Sequence, residues 1–119
     1  MTSDTRPGTT ESTARAVVVV LTTLPAEADA EALGETLVKE RLAACVSVGA
    51  PMTSVYTWRG AVERALERQL IVKTVREKIP LIVARLATLH PYEVPELLVL
   101  PVDDGGEAYI AWVRESTAG

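Results

Sequence analysis

The sequence predicts an α+β sandwich of split βαβ topology: a four-stranded antiparallel sheet with two main helices on one face and a short C-terminal helix. Three observations carry the prediction. Ala16 to Leu21 is an unbroken apolar run containing four valines, which at this length reads as a strand buried on both faces. Two segments, Ala26 to Leu42 and Arg76 to His90, repeat apolar residues at helical spacing. Between and after them lie short β-branched runs bounded by Gly and Pro.

The elements follow in order. Thr22-Thr23-Leu24-Pro25 ends the first strand, and Pro25 suits the first turn of a helix, where its missing N–H has no partner to lose. In Ala26 to Leu42, Ala30, Leu33, Leu37 and Val38 share a face; Glu27, Asp29 and Glu31 come early and Lys39 and Arg41 late, as the helix dipole favours. Ala43 to Val48 is a second strand, closed by Gly49, Ala50 and Pro51. Thr53 to Trp58 is a further strand by its β-branched and aromatic content, and Arg59-Gly60 is a hairpin turn.

Ala61 to Thr74 carries two conflicting signals. Its first ten residues are helix formers with Val62, Leu66 and Leu70 four apart. The same residues alternate as a long strand does, with Val62, Leu66, Leu70 and Val72 on one side and Glu63, Glu67, Gln69 and Lys73 on the other. Leu70 to Val75 is strand by either account. Arg76 to His90 is the second helix, with Pro80 in its first turn and Pro91 ending it. His90 to Glu96 is a stiff link, because Pro91 and Pro95 hold it extended, and it leads into a buried strand at Leu97 to Val102. Asp103 to Gly106 is a turn, Glu107 to Glu115 a short helix, and Ser116 to Gly119 frays. This order is that of ferredoxin-like folds.

Composition bounds the rest. The chain of 119 residues holds one domain over 15–119; residues 1–14, with seven Ser and Thr and almost nothing apolar, form a disordered tail. No run resembles a signal peptide or spans a bilayer, so a cytoplasmic protein is expected. The net charge of −4, with no basic stripe, argues against nucleic acid. A single cysteine, Cys45, excludes an internal disulfide and any multi-cysteine zinc site. There is no Gly-rich phosphate loop and no nucleophile elbow, and nothing orients Cys45 and His90 as a pair, so no catalysis is expected.

Arg41-Leu42-Ala43-Ala44-Cys45-Val46, Ser54-Val55-Tyr56-Thr57-Trp58-Arg59-Gly60, Ile71-Val72-Lys73-Thr74, the His90 to Val102 stretch, and Tyr109 with Trp112 occur in the order and spacing of CutA proteins. The chain resembles that family over residues 16–115. The resemblance implies a ferredoxin-like homotrimer whose long hairpins pair between subunits, as in PII-type trimers, and makes Ala61 to Thr74 a strand. It also implies a role in tolerance of divalent cations, copper above all.

The resemblance further implies a metal site. In copper-binding members, a cysteine closing the first strand and a His-His pair before Pro-Tyr are the proposed ligands. Here those positions are Thr22 and Leu89-His90. A hydroxyl is a poor copper ligand and leucine is none, so His90 stands as the metal candidate, with weak binding of copper or another divalent ion expected. Glu93 and Glu96 could add oxygen donors. Tyr56, Trp58, Glu63, Glu67, Lys73, Glu93 and Trp112 are expected at an inter-subunit cleft or interface. Trp58, Tyr56 and Trp112 need a partner to bury them, since the chain supplies no third layer. A trimeric PII-like small-molecule sensor or scaffold is the second reading.

Overall fold

The computed structural model describes residues 13–119. The expected tail over 1–14 lies outside the described residues, apart from Thr13 and Ala14, which begin a helical turn. The chain order is β1 (Val17–Pro25), α1 (Ala30–Lys39), β2 (Cys45–Val48), β3 (Met52–Trp58), β4 (Ala61–Val75), a 3-10 turn (Arg76–Lys78), α2 (Ile79–Leu89), β5 (Leu98–Pro101) and α3 (Glu107–Ser116). No helix among the described residues is long and apolar enough to cross a membrane.

The alternating pattern of Ala61 to Thr74 prevails over its helix propensity. β4 is one strand of 15 residues because both of its edges find partners, and local preference yields to that pairing. Its second half lies between β1, with Val20 opposite Val72, and β2, with Val46 also opposite Val72. Its first half pairs β3, with Tyr56 opposite Glu63. The sheet is therefore antiparallel with five strands rather than four, in the order β2-β4-β1-β5 with β3 on the β2 edge. β4 is long enough to hold β2 and β3 end to end.

That shared edge contains a bulge. Val48 pairs Leu70 and Met52 pairs Glu67, so Gly49, Ala50 and Pro51 stand opposite Arg68 and Gln69 alone. The Gly49 N–H still donates to the Gln69 carbonyl at 2.8 Å, and the Arg68 guanidinium donates to the Gly49 carbonyl at 2.9 Å. One extra residue reverses which side chains face which way. Tyr56 and Trp58 thereby share a face with Cys45 and Ser47, away from the two main helices.

Two corrections concern element ends. β1 does not stop at Leu21; Thr22 to Pro25 continue it opposite Leu70, Gln69, Arg68 and Glu67, because β4 offers a partner that far out. Pro25 thus closes a strand instead of opening a helix. α1 starts at Ala30, where the Asp29 carboxylate accepts the Ala32 N–H at 3.0 Å. Pro80 lies in the first turn of α2, as its chemistry requires.

Val18, Val20 and Leu24 of β1 and Leu70 and Val72 of β4 form one core with Leu33 and Leu37 of α1 and Ile82 and Leu86 of α2. Each fully buried aliphatic side chain there contributes about 1.5–3 kcal/mol. On the opposite face, Val113 of α3 packs with Val17, Ala44 and Val75. The rest of that face is open. β5, expected to be buried, leaves Leu98 54% and Leu100 46% exposed there, while Val99 packs on the helical side.

Thr22 is fully buried, and its hydroxyl has no hydrogen-bond partner among the described residues. An unpaired buried hydroxyl is a net cost. Thr22→Val, which keeps the shape, should stabilise the fold by about 1 kcal/mol, read as a higher denaturant midpoint; a lower midpoint would show that the hydroxyl has a partner.

Candidate functional site

The sheet face left open by α1 and α2 ends in a cleft of about 460 Å³. Its floor comes from the β3–β4 hairpin and the end of β1: Ser54, Tyr56 and Trp58 alternate on β3, Glu67 lies on β4 and Thr23 on β1. Its wall is the link after α2, contributing Tyr92, Glu93, Val94, Pro95 and Glu96. The hairpin turn is made by Arg59 and Gly60, with φ of 51° and 84°. Positive φ at both central residues is the twist that a two-residue hairpin needs, and glycine takes it without strain.

His90 fixes that wall. It caps α2 with an extended backbone, its Nε2 contacts the Thr23 carbonyl at 2.5 Å, and its Nδ1 accepts the Tyr92 N–H at 3.1 Å. With Nδ1 accepting, Nε2 carries the proton and donates to the carbonyl. The imidazole ties the link to β1 with both nitrogens engaged. Its ring also lies 5.0 Å from that of Tyr92.

Glu67 is only 8% exposed. Its Oε2 accepts the Tyr92 hydroxyl at 2.7 Å, and its other oxygen has no donor among the described residues. Burial, reinforced by the hydrogen bond and the charge of Glu67, pushes the Tyr92 hydroxyl well above the usual tyrosine range. Tyr92 therefore stays a protonated donor. At the mouth, the Arg59 guanidinium lies 5.4 Å from the Trp58 ring centroid and 3.7 Å from the Glu93 carboxylate.

Of the residues singled out in the sequence, Tyr56, Trp58, Glu67, Glu93 and Glu96 meet in this cleft. Glu63 is exposed beside Tyr56 on the same face. Lys73 shares that face at the far end of β4, where its Nζ lies 3.1 Å from the Ser47 hydroxyl and 3.9 Å from the Cys45 sulfur. Trp112 lies on α3, 42% exposed, with its ring 5.5 Å from that of Tyr109. Thr22 points to the helical side, one residue out of phase with Thr23, and Leu89 is exposed beside a second groove shared with Pro91. Tyr92 as the partner of Glu67 escaped the sequence reading, because 25 residues separate them. The signal was its place in the rigid His90 to Glu96 link.

The CutA1 divalent ion tolerance protein family model matches residues 18–116. The Thermus thermophilus divalent-cation tolerance protein CutA is 44% identical over 99 residues, 83% of this chain and 96% of that protein. Its solved structure superimposes with a TM-score of 0.82, covering 86% of this chain and 99% of that one. CutA1 from Oryza sativa, at 34% identity, gives a TM-score of 0.84 over 90% and 98% of the two chains. A protein from Archaeoglobus fulgidus described as a periplasmic divalent cation tolerance protein CutA, at 29% identity, gives 0.81 over 86% and 99%. With the family model spanning nearly every described element, this chain belongs to the CutA1 family of divalent ion tolerance proteins.

Proposed function

We propose that this protein serves tolerance of divalent cations without catalysing a reaction, acting in the cytoplasm as a homotrimer that binds copper or another divalent ion weakly. The family match over residues 18–116 carries the reading. Among the described residues, no three His, Cys, Asp or Glu side chains are grouped to hold an ion. A divalent ion needs several ligands, so His90 is the centre of a site completed by a neighbouring copy. Either of its nitrogens reaches a metal only by leaving a hydrogen bond, worth about 0.5–1.5 kcal/mol, which keeps affinity low. The trimer is supported by the open face, where Leu98, Leu100 and Trp112, which lie outside the cleft, are all more than 40% exposed.

Titration calorimetry of the tag-free protein with copper and zinc tests the metal reading. Weak binding that falls about tenfold or more in His90→Ala, the equivalent of one lost ligand at 1.4 kcal/mol per decade, is expected; equal binding by both proteins removes His90 from the site. Sedimentation equilibrium should give three chains, and a stable monomer would overturn the assembly.

A further inference from the structure

We propose that the cleft between the β3–β4 hairpin and the His90 to Glu96 link binds a small organic cation, an alkylammonium or alkylguanidinium group, independently of any metal bound at His90. The chemistry of its lining is one-sided. It presents the rings of Tyr56, Trp58 and Tyr92 and the carboxylates of Glu67, Glu93 and Glu96, and no lysine or arginine.

Three features select an organic cation over a metal ion. First, the carboxylates are spread around a cavity of about 460 Å³ and no three of them are grouped to hold an ion, whereas hard divalent ions need oxygens converging within 2.0–2.6 Å. A cation of diffuse charge fits such a cavity, and aromatic faces attract it. Second, Glu67 is more than nine-tenths buried and lines the cleft with one oxygen unpaired. That oxygen is not among the buried atoms without a partner, so it is open to the cleft, where a ligand donor reaches it by displacing water. Tyr92 holds the other oxygen and stays protonated, so it donates without neutralising the acid. Third, the chain already seats such a group at the mouth: the Arg59 guanidinium lies over Trp58 and pairs with Glu93. Arg59 extends from the hairpin turn outside the lining and is 73% exposed, so an incoming cation displaces it readily. It competes with the ligand for the outer half of the cleft and leaves Glu67 to the ligand alone.

The test is calorimetric titration of the full-length protein, in its native assembly, with butylguanidinium and with butylurea, which has the same shape and no charge. Butylguanidinium should bind and butylurea should not. Glu67→Gln, which retains an oxygen for the Tyr92 hydroxyl, should weaken binding tenfold or more. Arg59→Ala should tighten it about threefold or more by removing the competing guanidinium. This last variant separates a cation site from a structural effect, because loss of fold does not raise affinity. Equal binding of butylurea, or weaker or unchanged binding in Arg59→Ala, would overturn the proposal. Saturating zinc serves as a further control on the parent protein: butylguanidinium should bind equally with or without the ion, and competition between the two would show that the sites are one.

Discussion

Replacing Gly34 by valine should destabilise the fold by about 3 kcal/mol, the upper range for forcing volume into a packed interface, read as a lower urea midpoint at unchanged slope. Gly34 is buried on α1 where the helix crosses β2. A Cβ built there would meet the Val46 Cγ1 at 3.0 Å and its Cβ at 3.2 Å. Val46 cannot rotate out of the way, because its own Cβ is part of the clash and its strand is held by the ladder to β4. The γ-methyls of valine add bulk beyond that first contact. Gly34→Ala is the revealing control: alanine favours the helix by about 1 kcal/mol over glycine, against a displacement of only a few tenths of an ångström, so it should fall within about 1 kcal/mol of the parent. The double variant with Val46→Ala should recover about 1 kcal/mol or more relative to additivity, as contacting residues do. Strict additivity would mean that the helix relaxes elsewhere and that the close approach is not what the glycine serves.

The same interface shows what could be read in the sequence and what could not. Period alone placed Leu33, Leu37, Ile82 and Leu86 on core faces, and each is buried, whereas Val38, placed with Leu33 and Leu37, lies at the edge of that face and is 41% exposed. The glycine spacing of α1 against β2 carried no such signal, because a close approach is a property of two elements brought together from different parts of the chain. β4 shows the limit differently. Its first half satisfies helix and strand patterns equally, and only the existence of β3 and β1 as partners decides between them. The bulge at Gly49 to Pro51 was visible as a break between strands. Its consequence, turning Tyr56 and Trp58 toward Glu67, depends on counting residues on both sides of the ladder. His90 was found because it is the only histidine. Its engagement with the Thr23 carbonyl and the Tyr92 N–H depends on β1 continuing past Leu21, which the strand break expected at Thr22 obscured.

Tyr92→Phe is the second large effect, and it should cost about 1–3 kcal/mol at neutral pH, the range for leaving a buried polar group without its partner. The Tyr92 hydroxyl is the sole donor to Glu67 among the described residues, at 2.7 Å, and Glu67 is buried at the inner end of the cleft. Phenylalanine keeps the ring and its contact with His90, so the difference isolates the hydrogen bond. The pH dependence supplies a second, independent reading. Burial first, and then Glu67, raises the folded-state pKa of Tyr92 above its unfolded value near 10. The folded state therefore keeps a proton that the unfolded chain releases, so stability is complete below about pH 10 and falls as pH rises beyond it. Phenylalanine has no proton to release. Urea midpoints of parent and Tyr92→Phe should thus stay a constant distance apart from pH 7 to about 9.5 and converge above about 10. Profiles that remain parallel to pH 11 would show that Tyr92 ionises no differently in the fold, and the pairing with Glu67 would lose its support. Convergence would establish that the carboxylate at the base of the cleft is held by a neutral donor throughout the physiological range, leaving its negative charge available to whatever the cleft binds.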